Sequence, residues 1–244
     1  EGTINSGTYN YDYSCGGLIG FVEQSRNSTI TNCKNTGNLT GGATGGLIGT
    51  CQYSVNTTIE NSTNSGFAVG RYYSGGLIGS AYVNSMEILH CNNTGIINSS
   101  SLSGGFIGEA SCSSGCSNIT ITFIDSHNTG SVKGGGDGVG GFVGTLRDSN
   151  ITTMINCSNT GNIYSVRVAG GFFGWVSVIY GVLTVKNSKN TGSVLCNNTC
   201  GGIIGNKEVF KGSDSIFLES TANYGTVTAE NGIACGFVSR KQVE

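Results

Sequence analysis

Residues 64–79 read Asn64-Ser65-Gly66-Phe67-Ala68-Val69-Gly70-Arg71-Tyr72-Tyr73-Ser74-Gly75-Gly76-Leu77-Ile78-Gly79. Two short words bracket this stretch, Asn-Ser-Gly at its start and Gly-Gly-Leu-Ile-Gly at its end. Both recur. The five-residue apolar word or a near copy begins at Gly16, Gly45, Gly75, Gly104, Gly140, Gly170 and Gly201, and a degraded copy, CGFVS, begins at Cys235. The three-residue word or a variant begins at Asn5, Asn35, Asn64, Asn93, Asn128, Asn159, Asn190 and Asn223. Successive Gly-Gly positions lie 29, 30, 29, 36, 30, 31 and 34 residues apart. A period of this length marks an array of similar small units. The 244 residues therefore read as one repeat domain, 1–244.

Each unit holds three short apolar stretches. The first follows the Asn word, as at Leu39, Ile97, Val132, Ile163, Val194 and Val227. The second is the Gly-Gly word. The third is β-branched and closes the unit, as at Thr29 to Thr31, Thr58 and Ile59, Ile119 to Ile121, Ile151, Thr184 and Val185, and Ser215 and Ile216. No stretch repeats apolar residues at helical spacing over three turns. Three strands per ~30 residues, bounded by Gly and Asn turns, fit one rung of a parallel β-solenoid. The expected fold is all-β, with about eight rungs whose equivalent strands stack at ~4.8 Å.

Stacking turns repeated positions into columns. One is Leu18, Leu47, Leu77, Phe106, Phe142, Phe172, Ile203 and Phe237, and the next is Ile19, Ile48, Ile78, Ile107, Val143, Phe173, Ile204 and Val238. Adjacent residues on a strand face opposite ways, so one column is expected in the bore and the other outside, either covered by something further out or left as an exposed apolar stripe. The paired glycines suit a tight corner or a close backbone approach. The Asn of the three-residue word tolerates left-handed backbone and bonds its own chain, and stacked Asn residues form amide ladders.

Composition narrows the function classes. Net charge is −2 and 11% of residues are charged, which disfavours nucleic acid because that partner needs a basic stripe. No window approaches ~18 consecutive apolar residues, so no membrane span is expected. With no initiator Met and no signal peptide at its start, the chain reads as a mature or excised piece of something longer. Gly is 42 and Pro is 0, without a collagen period. Ten cysteines without a C-x2-C pair point to disulfides rather than zinc. Sequons stand at Asn27, Asn38, Asn56, Asn61, Asn92, Asn98, Asn118, Asn150, Asn156 and Asn197, where about six would arise by chance. Cysteines and sequons together favour a secreted glycoprotein of eukaryotic origin.

The repeated G-G-[LFI]-[IVF]-G word with N-[ST]-G-x-[ILV] upstream resembles the GLUG repeat, which occurs in bacterial surface proteins, including adhesins and immunoglobulin A peptidases. The array covers nearly the whole chain. The resemblance implies a secreted or surface-displayed region and carries over no catalytic residue. The cysteines and sequons depart from the bacterial pattern.

The solenoid frame gives cysteine expectations. Cys200 precedes the seventh Gly-Gly word and Cys235 replaces a glycine of the eighth. Rungs ~4.8 Å apart bring such residues within disulfide reach, so Cys200–Cys235 is favoured, with Cys196 as the rival partner. Cys112 and Cys116 would close a small loop in the insertion Ser111 to Ile119. Cys33, Cys91 and Cys157 share a column with Ser62, Ser126, Ser188 and Ser220 and lie about two rungs apart, too far to bond one another. They are core thiols or pair sideways with Cys15 or Cys51.

Catalytic constellations are sparse. His90 and His127 fall near one corner of neighbouring rungs, offset by one position, and read as corner residues. Asp12, Asp125, Asp137, Asp148 and Asp214 fall in different loop types, without a glycosidase pair. Gly134-Gly135-Gly136-Asp137-Gly138 lacks the Lys and Ser/Thr of a phosphate loop, and the calcium nonapeptide is absent. Trp175, Tyr72 and Tyr73 read as packing residues, whereas Tyr9, Tyr11 and Tyr13 alternate and could present one aromatic face.

The sequence thus points to a non-enzymatic extracellular structural or adhesive solenoid without cofactor or metal, a segment of a stalk, coat or self-assembling filament. Its expected partner is itself, end to end, or neighbouring domains of a larger protein. The alternative is a carbohydrate- or host-binding module within a larger adhesin or secreted enzyme. A β-helical polysaccharide enzyme would require an acidic cluster on one face.

Overall fold

The structure, a computed structural model, describes residues 3–5, 13–112, 119–177, 181–208 and 215–239. The chain is all-β, coiled as a parallel β-solenoid of about seven turns, with no helix among the described residues. One 14-stranded sheet and three 7-stranded sheets run along the rod. The turn beginning at Ile97 shows the plan: Ile97–Ser99 and Leu102–Gly104 both belong to the large sheet, Ile107–Ser111 to the second, Ile119–Ile124 to the third and His127–Asn128 to the fourth. The three apolar stretches are thus the three broad faces, and the Asn word supplies a narrow fourth. Seven stacked strands at ~4.8 Å make a rod about 29 Å long.

The strands form where apolar and polar residues alternate. In Ile119–Ile124 every second side chain is buried, so Ile119, Ile121 and Phe123 enter the core while Thr120, Thr122 and Ile124 look outward. Left-handed residues close the corner after this strand at Asn32, Asn61, His90, Asp125, Asn156, Asn187 and Ser220. Asn and Asp dominate there because they tolerate that backbone best. A thiol or hydroxyl follows each of them, and Cys33, Ser62, Cys91, Ser126, Cys157 and Ser188 each donate to the carbonyl two residues back. The column ends on Thr221 rather than Ser220, because Lys189 pairs with Ala222 and Ser220 occupies the left-handed corner.

Both columns of the Gly-Gly word are buried, which corrects the expected outward stripe. From Leu47 to Ile204 every member of either column is at most 1% exposed, and all belong to one core. The reason lies in the backbone. Leu47 N–H and Ile48 N–H both donate to Leu77 O at 2.9 Å, and Leu77 and Ile78 repeat this on Phe106 O. Two successive N–H groups aimed at one neighbour mean that the chain is turning, so the alternation of an extended strand does not apply. At this corner both side chains point inward. In the middle turns the column becomes aromatic, with Phe106 stacked on Phe142 at 4.6 Å and Phe142 edge-on to Phe172 at 5.3 Å.

Each glycine of the doublet has its own cause. A Cβ on Gly75 would lie 1.9 Å from Ile78 O within the same corner. A Cβ on Gly76 would lie 2.0 Å from Gly105 O of the next turn and 2.5 Å from the Asn93 side chain. No side chain fits either place. Beneath this second glycine runs an amide ladder. Asn35, Asn64, Asn93, Asn128, Asn159 and Asn190 each donate from Nδ2 to the Oδ1 of the next Asn, ending on Asn223, at 2.7–2.9 Å. Each ladder Asn, Asn223 included, also donates to the carbonyl of the glycine two residues on. Asn5 does not belong to this ladder. Thr3–Asn5 pairs with Asn38, Leu39 and Thr40, which puts Asn5 opposite Thr40, five residues past Asn35.

A second, smaller core lies between the two limbs of the large sheet and includes Ala68, Ile97, Val132, Ile163 and Val194. It also holds the disulfide Cys196–Cys200. The favoured Cys200–Cys235 bond does not form. Parallel register sets Cys235 opposite Gly201 and Ala234 opposite Cys200, and Cys235 is a free thiol. Cys112 is disulfide-bonded, and its expected partner Cys116 lies outside the described residues. Cys33, Cys51, Cys91 and Cys157 are free thiols, so the column does not pair sideways with Cys15 or Cys51. Burial pushes the Cys91 thiol up to about 11 and the Cys157 thiol to about 12, and raises Cys51 as well.

Candidate functional site

Position along the second sheet decides what faces outward. Cys51, Ala81, Ala110, Leu146 and Val176 point into the core, so the residues on either side of them point out. Register builds one outward column from Phe21, Thr50, Ser80, Glu109, Thr145, Trp175 and Asn206. It is the residue directly after each Gly-Gly word. The limb of the large sheet preceding that word stands beside it and contributes Tyr73 and Leu102 in register.

Between these walls lies a groove broken into three hollows, of which the second and third share lining residues and the first shares none with them. Its first section, about 460 Å³, is lined by Phe21, Thr50, Tyr72, Tyr73, Ser80 and Tyr82, among others. A middle section of about 410 Å³ has Leu102, Asp137, Arg147, Asp148, Trp175 and Glu208 in its walls. A third, of about 370 Å³, shares Asp137 and Trp175 with the second and adds Arg167 and Asn206. The floor is polar yet nearly closed to solvent, since Ser80, Glu109, Thr145 and Asn206 are at most 5% exposed.

Glu109 is the electrostatic centre. Tyr82 Oη donates to its Oε2 at 2.8 Å, and Arg147 Nε stands 3.6 Å from its Oε1. Burial, and after it the charge of Glu109, push the Tyr73 and Tyr82 phenols above their usual value, because a second negative charge there would be both desolvated and repelled. Ser80 Oγ lies beside the Tyr82 hydroxyl and forms no hydrogen bond of good geometry. Two other carboxylates of the groove are also engaged. Asp137 pairs with Arg167 at 2.6 Å, and Glu208 accepts from Trp175 Nε1 at 3.3 Å.

This arrangement corrects two sequence expectations. Asp137 and Asp148 do share a face, together with Glu109 and Glu208, because stacking brings residues of different rungs and loop types to one groove. Tyr73 and Trp175 line that groove instead of serving only as packing. The aromatic run is less informative: Tyr13 is exposed, and Tyr9 and Tyr11 lie outside the described residues. His90 and His127 come no closer to a site. His127 pairs with Asn92, two positions past the equivalent of His90, and bonds Ser158 Oγ at 2.8 Å, while His90 sits 3.5 Å from Asp125. Among the described residues no group of three His, Cys, Asp or Glu could hold a metal ion.

Of the sequons, Asn27, Asn38, Asn56, Asn61, Asn98 and Asn156 are exposed, and Asn92, Asn150 and Asn197 are half-buried. Asn118 lies outside the described residues. Asn56 donates to Asn27 Oδ1 at 3.0 Å.

The coil and the groove define a parallel β-solenoid with one lined face. Residues 12–40 match the family model described as the GLUG motif, over the segment that carries the first Gly-Gly word. Among solved structures, the fold is shared with a crystal structure from Bacteroides ovatus, provisionally assigned as an immunoglobulin A1 protease. The two are 16% identical with a TM-score of 0.59, over 88% of this chain and 67% of that one. That likeness concerns the fold. No curated protein matches the sequence.

Proposed function

We propose that the chain is a non-enzymatic, extracellular scaffold: a solenoid segment of a surface stalk, coat or self-assembling filament. The observation that carries this reading is the one-way amide ladder. Every Nδ2 from Asn35 onward points to the next turn, so the Asn223 end of the described array presents a donor and the Asn35 end an acceptor. Strand edges at the two ends have the same head-to-tail complementarity. Apolar side chains accompany them, with Leu18 and Phe21 exposed at one end and Phe217, Ile233 and Phe237 at the other. A contact of this kind is heterologous and does not close on itself, so it generates an open row of copies or joins neighbouring units of a larger array. Exposed sequons and disulfides support a secreted or cell-surface location. Sedimentation of the pure chain at rising concentration tests the assembly, and a monomer at all concentrations would refute it. Intact mass before and after deglycosylation tests the secreted glycoprotein.

A second reading is a carbohydrate- or host-binding module within a larger adhesin or secreted enzyme. The groove, with aromatic walls over a polar floor, is the observation that favours it.

A further inference from the structure

We propose that the groove binds an uncharged oligosaccharide laid along the rod axis, with sugar faces on Tyr73, Tyr82 and Trp175 and sugar hydroxyls on Ser80 and Glu109. The proposal rests on the second reading above and gives it a ligand class, a site and a direction.

Three features select the ligand. The walls offer aromatic rings at separate points along one line, Tyr73 and Tyr82 in one section and Trp175 in the next two. The floor between them is made of hydroxyl, carboxylate and amide groups. An apolar guest would strand that floor, whereas a sugar presents an apolar ring face beside a ring of hydroxyls. Charge removes the anionic polymers: Glu109, Asp137, Asp148 and Glu208 outnumber Arg147 and Arg167, so nucleic acid and acidic polysaccharides are repelled. A peptide adding itself as a strand is disfavoured too, because the strands on both walls of the groove are paired on either side within their sheets and leave no edge to extend.

Ser80 supplies the independent sign of a ligand. The residue is 1% exposed and lines the groove, and its hydroxyl, beside that of Tyr82, forms no hydrogen bond of good geometry within the protein. Buried polar groups are almost always hydrogen-bonded, and a hydroxyl-rich guest that turns the Tyr82 hydroxyl aside would bond it. The rung repeat of ~4.8 Å is comparable with the length of one hexose in an extended chain, so successive sugars would meet successive turns.

Trp175 is the chain's single tryptophan, so its fluorescence reports the groove directly. The test titrates the full chain with neutral hexasaccharides of glucose, mannose, galactose and N-acetylglucosamine, and with a basic and an acidic peptide as competitors. At ~1 mM, where an interaction of only ~4 kcal/mol half-saturates the site, at least one sugar is expected to shift the emission. Tyr82→Ala should weaken that sugar about tenfold, or ~1.4 kcal/mol. Tyr164→Ala, on the outer face of the large sheet, should leave it unchanged. Ser80→Ala separates binding from folding: it should weaken the sugar about fivefold while its melting temperature stays at or above that of the parent, because removing an unsatisfied hydroxyl costs the fold nothing. Absence of a shift with every sugar, binding that survives Tyr82→Ala, a response to a peptide alone, or cleavage of the sugar would each overturn the proposal. Failure here with intact end-to-end assembly leaves the scaffold reading standing. Binding by a chain that stays monomeric does the reverse.

Discussion

Replacing Asn93 in the centre of the amide ladder should damage the rod more than any surface change, and in a pH-dependent way. Asn93 is wholly buried. It accepts from Asn64 Nδ2 at 2.9 Å, donates to Asn128 Oδ1 at 2.7 Å and donates to Gly95 O at 3.1 Å. Asn93→Ala removes all three bonds and leaves a donor on Asn64 and an acceptor on Asn128 without their partner. Each buried group deprived in this way costs ~1–3 kcal/mol, so a loss of ~3–5 kcal/mol is expected. At ~2–4 °C per kcal/mol for a chain of this size, the melting temperature should fall by on the order of 10 °C. Asn223→Ala, at the half-buried end of the ladder, deprives the Asn190 donor and the half-buried Gly225 carbonyl but no further ladder acceptor, and should cost ~1–2 kcal/mol.

Asn93→Asp sharpens the test. The introduced carboxylate still accepts from Asn64 but faces the Asn128 oxygen, and no cation belongs to the ladder. Its folded pKa should therefore rise above the ordinary ~3.9. With a raised folded value, the penalty is absent below the unfolded pKa and grows as pH rises through the folded one. Protonated, the group donates to Asn128 Oδ1 as the amide did. This variant should thus approach the parent near pH 4 and fall away toward pH 7, as followed by circular dichroism melts. A loss below ~1 kcal/mol for Asn93→Ala, or an Asn93→Asp variant indifferent to pH, would refute a ladder that works by donor–acceptor order.

Other consequences can be checked more briefly. Gly76→Ala places a methyl 2.0 Å from Gly105 O and should prevent folding or cost above ~4 kcal/mol, whereas Gly236→Ala, with nothing within 4 Å, should change the melt by less than ~0.5 kcal/mol. The raised Tyr73 and Tyr82 values add stability that is present below the ordinary phenol pKa of ~10 and lost above it; Tyr82→Phe should flatten the alkaline decline of the melting temperature, and an unchanged slope would contradict the Glu109 environment. Iodoacetamide at pH 8 should spare the buried Cys91 and Cys157 until the chain unfolds. After unfolding without reductant it should label Cys235 but neither Cys196 nor Cys200, and a labelled Cys200 would contradict the disulfide.

The columns of the Gly-Gly word, the amide ladder and the β-branched strands were legible because the same residue type recurs at the same place. The corner at Leu47 and Ile48 was not. Alternation is a property of extended backbone, and the convergence of two N–H groups on Leu77 O is invisible in residue names. Asn5 misled for a related reason: a three-residue word repeats by composition, while register follows strand pairing. Glu109 was missed because its column, Phe21 to Asn206, changes residue type at every rung. A signal existed nevertheless, in a variable position that directly follows an almost constant word. The cysteine pairing turned on a single residue of offset, since Cys235 took the glycine place and so came to lie across from Gly201.

The ladder also works as a reset. Met86 pairs with Thr57 at a separation of 29 residues and with Ile121 at a separation of 35, the extra length lying between Ser111 and Ile119. Yet Asn64, Asn93 and Asn128 bond as though nothing had been inserted. A surplus of chain arising within a turn is absorbed before the next Asn is reached, and the register beyond it is kept. The rod can thus accept new sequence one turn at a time, which makes the insertion after Ser111 a natural place to graft a foreign epitope without retuning the rest.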